Sequence, residues 1–426
     1  MGFIRWVRWL IDKQFFAFIG LLLIISGLLV SRAFMSIGMI TLCASALLGT
    51  GFIPKLKQFF KLPALWLITV FFLLVAISGL YSDNLSYFSE RLQIKLPLLG
   101  LPLAIYCIKP FNRKFFFALL YVFMFIVIAG SGWTILQTMS LTSEEIIDLY
   151  SIGQVLPTPV HHIRFSLMVV LAFVIGLYVL EQKFYWVSRK EHILIVAFMV
   201  FLFVFAHVLA VKTGLLTLYI LIIVLGVKII YQTKRYLMGG IIVLSMLVAP
   251  IIGYYTIDSL HQKVNYFMYD MNQYFEKNNI DNLSDARRLR SYKVAFEAAS
   301  ESVLFGSGYG DIEDACNVVY QKNYPDTNKD SWLLPHSQFV YVYVGLGWVG
   351  VIFFVLMILM PFYHHSGYKD IMVLSIGLIG LISFISEYTL ETQIGTALYV
   401  TFIIISLTHY YNSIEHDSPN SGDNNI

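Results

Sequence analysis

A histidine behind a proline, in the stretch LLPHSQFVYVYVGLGWVG, stands at the lip of a long apolar run. Imidazole is the side chain best suited to take up a proton near neutral pH. That histidine, His336, has cationic company elsewhere in the chain. Arg288 lies in SDARRLRSYKVAFEAA, Lys212 in VLAVKTGLL and Arg164 in HHIRFSLM. Two acids, Glu387 and Glu391, stand in SEYTLETQIG before the last apolar run. Guanidinium offers forked donors and ammonium a point charge, so such cations suit a diphosphate. A histidine beside them could accept the proton of a hydroxyl nucleophile while a cation-held diphosphate departs.

That chemistry requires the residues to share one side of a membrane. The 426 residues are 58% hydrophobic and only 13% charged, with a mean hydropathy of +0.73. Soluble domains carry about 25% charged residues. Apolar runs near 20 residues recur and are continuous, unlike the alternating strands of about 10 residues that barrels need. The expected fold class is all-α, a polytopic integral membrane protein with about twelve transmembrane helices. The runs cover 14–31, 33–52, 63–80, 96–108, 114–139, 161–180, 192–211, 214–231, 236–256, 336–361, 371–388 and 394–412. The first follows Arg5, Arg8 and Lys13 as a signal peptide would. It leads into a second run without a small-x-small cleavage site, and reads as a retained span. The fourth is short, holds Pro97 and Pro102, and is expected to kink or extend into its flanks.

Basic residues come in threes at 5–13, 55–61, 109–114, 183–190 and 228–235, with Lys369 after the tenth run. This alternation follows the positive-inside rule and puts both termini in the cytoplasm. The organisation expected is nine spans over 1–256, an external loop with helices over 257–335, three spans over 336–412, and a polar disordered tail over 413–426. His336, Arg164, Lys212, the arginine cluster and both glutamates then share the outer face.

Within the long loop, QKVNYFMYDMNQYFEKNN has the amphipathic, aromatic-rich pattern of an interfacial helix. Ser284 can cap the next helix. There Leu289, Tyr292 and Phe296 share a face with Arg288 at its border, while Arg287 and Arg290 point away. A solvated basic face that binds nothing is the bland alternative. The glycines of LFGSGYGDIEDA lack a following lysine and a βαβ context, so they read as a turn leaving the helix. Cys43, Cys107 and Cys316 form no disulfide framework. His161–His162 and His364–His365 are pairs without companion ligands, so neither a metal nor another cofactor is expected. His336 also has a bland reading as an interfacial histidine bonded to the loop, and Arg164 and Lys212 as cations capping spans. No acid or base is placed near the centre of a span, and His207 is the only deep titratable candidate. That pattern argues against a transporter with midplane ionisable groups.

The order of these motifs resembles the O-antigen ligase and O-antigen polymerase superfamily of bacterial membrane glycosyltransferases. The likeness covers most of the chain: twelve spans with a long external loop before the tenth, AVKTGLL at a span start, RLRSY, LFGSGYGD, PHSQFVYVYVGLGWVG and SEYTLETQIG. The resemblance implies a glycan donor on undecaprenyl diphosphate at the periplasmic face of the inner membrane. It implies His336 as general base or as the group orienting the acceptor hydroxyl, with Arg288 and Lys212 on the diphosphate. Arg164 stands as a further donor-side cation, and Tyr292, Glu387 and Glu391 as supporting residues. Transfer would invert the anomeric centre without a metal. One departure is that the span-start cation is usually arginine in a Ser-Arg pair; VKTG keeps the charge but loses the fork. The favoured acceptor is a lipid A–core hydroxyl, as in a ligase. A growing glycan, as in a polymerase, and protein Ser or Thr are the alternatives, and a lipid-linked glycan transporter is the rival outside the class.

Overall fold

Apolar runs that have no water to satisfy their backbone must close hydrogen bonds within the segment, so they coil. The structure, a computed structural model, describes residues 13–47, 52–108, 113–142, 144–145, 156–234, 236–276 and 283–417. Every regular element among the described residues is helical. The chain begins with α1 (Lys13–Gly27), α2 (Arg32–Leu47), α3 (Phe52–Phe59), α4 (Pro63–Ser78), α5 (Leu85–Ile108) and α6 (Arg113–Met139). It continues through α7 (His162–Glu181), α8 (Glu191–Leu209), α9 (Lys212–Thr233) and α10 (Tyr236–Thr256). Three helices of the long loop follow, α11 (Asp258–Phe275), α12 (Ser284–Ala299) and α13 (Ile312–Asn323). The last are α14 (Gln338–Tyr363), α15 (Ile371–Ser386) and α16 (Gln393–Asp417).

A helix underlies each expected span, but length narrows the count. Among the described residues seven helices are long and apolar enough to cross a membrane, or eight if α3 and α4, bent at 91°, make one broken span. The helix α15 runs 16 residues, about 24 Å at 1.5 Å per residue and short of a hydrocarbon core of about 30 Å. The helices α1 and α2 run 15 and 16 described residues, and each borders residues outside the described ones. The expectation of about twelve spans is therefore supported only in part. Residues 413–417 of the expected disordered tail continue α16, and 418–426 lie outside the described residues. So do Arg5, Arg8, Lys109, Arg235 and most of the loop between α6 and α7.

The short fourth run extends into its flank, one of the two alternatives expected of it: α5 starts at Leu85 and runs through both prolines. What this overturns is the expectation that no acid or base falls near the centre of a span. Lys95 therefore lies inside a candidate span, fully buried. Glu90, Arg91 and Lys95 interrupt the apolar run in sequence, whereas the helix tolerates Lys95 by pairing it.

In a bilayer, helices associate through close packing and hydrogen bonds rather than by hiding from water. A Cβ on Gly38 would stand 2.5 Å from the Gly20 carbonyl oxygen, so only glycine lets α1 and α2 approach this closely. The enclosed members are α7, packed on α6, α8, α9 and α15, and α16, packed on α5 and α15. The helix α14 packs on α4, α15 and the loop helix α12.

α14 is broken at Gly347 (φ 60°, ψ −159°), a conformation essentially reserved for glycine. The loop 303–308 enters the break. Ser307 and Gly308 donate to the Val344 and Gly345 carbonyls at 2.8 and 3.1 Å, and Trp348 and Val349 donate to Val303 and Leu304 at 3.0 and 3.2 Å. Thus the backbone groups freed by the break find partners inside protein. LFGSGYGD does turn away from α12, and its glycines also allow this close insertion.

Candidate functional site

Glu387 follows the last turn of α15 and is buried. Its Oε1 lies 2.9 Å from Arg288 Nη2 on α12, and its Oε2 lies 3.4 Å from His336 Nδ1 just before α14. Neither His336 Nδ1 nor Glu387 Oε1 has a well-aligned hydrogen-bond partner, so these contacts have room to adjust. Burial would raise the Glu387 pKa. His336, Arg288 and Arg164 around it outweigh that, and the carboxyl lies below the ordinary glutamate value. Tyr292 donates its hydroxyl to the His336 carbonyl at 2.9 Å. The Tyr388 ring meets the imidazole edge-on at 4.8 Å.

Arg288 is set apart from its neighbours. Arg287 donates to the Ser331 and Asp330 carbonyls at 2.9 and 3.0 Å. Arg290 is buried with its guanidinium 5.1 Å from the Tyr324 ring centre, so it points away from Glu387 but not into solvent. The packed face of α12 also differs from the expected one. Ala286, Arg290, Val294 and Ala298 are buried at steps of four, while Phe296 is 55% exposed. Arg288 and Tyr292 occupy the flank that meets the His336–Glu387 segments. Ser284 makes no cap; the buried Asp270 accepts instead from the Asp285 and Ala286 N–H groups at 2.9 and 3.0 Å. A partner 15 residues upstream on another helix leaves no local capping signature.

Lys212 opens α9, pairs with Asp285, and lies 4.4 Å from the Phe267 ring centre. With Arg288, Lys263 and His162 it lines a pocket of about 80 Å³. Lys263, on α11, escaped the sequence reading because it looks like one cation on an amphipathic helix. Burial first, then the charge of Lys212, lowers its amine to about 8. Arg164, in the first turn of α7, is 7% exposed and stands 2.9 Å from His161 Nδ1 through Nη1. Burial, then the Arg164 charge, pushes His161 down to about 4, so a neutral ring accepts this bond. Both line a cavity of about 410 Å³ with Arg32 and Gln393. A groove of about 1070 Å³, with apolar walls from α2 and α5, adjoins it at Arg32 and Gln393.

Two singled-out residues lie elsewhere. Glu391 turns from the cluster to pair with Lys95. His207 is packed and bonded, Nδ1 to the Phe203 carbonyl at 2.8 Å and Nε2 to the Tyr219 hydroxyl at 2.6 Å. Among the described residues no three His, Cys, Asp or Glu gather as metal ligands.

Arg164, Arg288, Lys212 and Lys263 outnumber Glu387 and Asp285 here, which suits an anionic ligand beside a histidine. The fold and site define a multi-pass helical membrane protein with a cationic, histidine-bearing cluster where helix ends meet. Residues 194–355 match the family described as O-antigen ligase, a likeness over this segment that supports the O-antigen ligase superfamily. The match includes Lys212, Lys263, Arg288, Tyr292 and His336, and leaves Arg164, Glu387 and Glu391 outside. The substrates of that family are in general lipid-linked glycans and lipid acceptors. No curated protein sequence matches the chain.

Proposed function

We propose that the protein is a metal-independent, inverting glycosyltransferase of the O-antigen ligase type. It moves a glycan from undecaprenyl diphosphate to a lipid A–core hydroxyl at the periplasmic face of the inner membrane. The observation that carries this reading is the meeting of His336, Glu387 and Arg288 from three separate elements, with His336 and Arg288 inside the family match.

With Nδ1 turned to the Glu387 carboxylate, Nε2 of His336 is the nitrogen left to accept a proton. The acceptor oxygen attacks the anomeric carbon, its proton passes to Nε2, and the sugar–oxygen bond to the diphosphate breaks with its electron pair going to the diphosphate. Arg288 and Lys212 hold the leaving diphosphate, and Lys263 and Arg164 add charge from either side. Glu387 and Asp285 keep these cations oriented until the donor arrives. The apolar groove between α2 and α5 offers space for a hydrocarbon chain beside the site.

Cells with and without the protein distinguish the acceptors. Loss is expected to remove the lipopolysaccharide ladder while long lipid-linked chains accumulate. Lipopolysaccharide carrying single repeats, with long chains missing, would instead make the protein a polymerase. Unchanged pools of both would refute both readings.

A further inference from the structure

Lys95 and Glu391 are each fully buried and paired with one another. Such a pair is a weak source of stability, since apolar residues of similar volume often serve as well or better. What surrounds this one suggests another use. The Glu391 Oε1 also accepts from Tyr309 Oη and Gln338 Nε2, both at 2.8 Å. Gln338 in turn accepts from the Leu390 N–H at 2.8 Å through its side chain, and its own N–H donates to the Glu387 carbonyl at 3.1 Å. The Lys95 ammonium lies 4.5 Å from the Tyr309 ring centre.

These bonds tie α5, the loop that enters the α14 break, the start of α14 and the segment 387–391 into one buried knot. His336 stands two residues before Gln338, and Glu387 four residues before Glu391. The two chain segments whose relation sets the His336–Glu387 distance are thus the two that the knot staples together. We propose that the Lys95–Glu391 pair is a positioning device, holding segment 387–391 against the start of α14 so that Glu387 meets His336. Lys95 touches neither His336 nor Glu387; it acts through Glu391 and Gln338. The proposal rests on the reading of His336 and Glu387 as the reaction centre.

The test uses the full chain in lipid nanodiscs, with Lys95→Met, Glu391→Gln and the double variant Lys95→Met/Glu391→Leu, which leaves no buried charge to disrupt folding. The geometric readout replaces Cys43, Cys107 and Cys316 by serine or alanine, adds His336→Cys with Glu387→Cys, and follows joining by a short bifunctional thiol reagent. Joining is expected to slow about tenfold in the well-folded double variant, by analogy with the sensitivity of reactions to small misplacements. In the otherwise native chain, glycan-transfer kcat is expected to fall about 100-fold with KM within about threefold. Joining at the native rate together with native kcat in the folded double variant overturns the positioning role. Joining that slows while His336→Ala keeps full transfer retains the geometric link but removes the reaction centre it was to serve. Lys322→Ala, which breaks an exposed pair with Glu297, serves as the unaffected control.

Discussion

Arg288 and Lys212 are both cations, but they present different chemistry to a phosphate. Arg288 offers a planar fork, one arm of which faces Glu387, while Lys212 offers a point charge already shared with Asp285. Arg288→Lys should therefore keep the charge and lose donor affinity. One charge-assisted hydrogen bond is worth about 1.5–3 kcal/mol, so the donor KM should rise on the order of 10–100-fold, measured by donor titration. Lys263 gives the site a pH dependence. Its amine titrates at about 8 in the free protein, and only the charged form attracts an anion. Because kcat/KM reports groups of the free enzyme, its value for the donor should fall as pH rises through about 8. Lys263→Met should lower kcat/KM at neutral pH and flatten that limb; an unchanged limb would remove Lys263 from the donor site.

Among elements, the α14 break is sensitive to a single atom. A Cβ on Gly347 would lie 2.3 Å from the Leu304 carbonyl carbon, at a positive φ. Gly347→Ala should destabilise the protein by more than about 1–3 kcal/mol, read by thermal unfolding in detergent. Gly240→Ala on α10, where a Cβ meets nothing within 4 Å, should not. Equal stability of the two variants would contradict the account of the break. The sequence could not announce this feature, because its partners lie about 40 residues apart and the residues around Gly347 are apolar or small. The same limit hid the Asp270 cap and the Lys95–Glu391 pair, which are long-range bonds with no local pattern. Hydropathy did reveal where helices form, and helical periodicity separated Arg288 from Arg287. Periodicity erred over Phe296, since it identifies a face but not what covers it.

At the scale of the whole molecule, helix ends are what bring the cluster together: α7, α9 and α14 start there, and α15 finishes there. The proposed function puts this end outward, the side expected from the basic-residue alternation. With the native cysteines replaced, a membrane-impermeant maleimide applied to spheroplasts should label Lys322→Cys and spare Lys57→Cys; the reverse pattern would invert the topology. The central claim, that this cluster transfers a glycan, is tested most directly in proteoliposomes. They would carry an undecaprenyl-diphosphate-linked glycan and lipid A–core, with either the native chain or His336→Ala. The account predicts transfer by the native chain and a loss of at least about 100-fold on removing the general base, at equal insertion. Native-rate transfer by a properly inserted His336→Ala protein would contradict it.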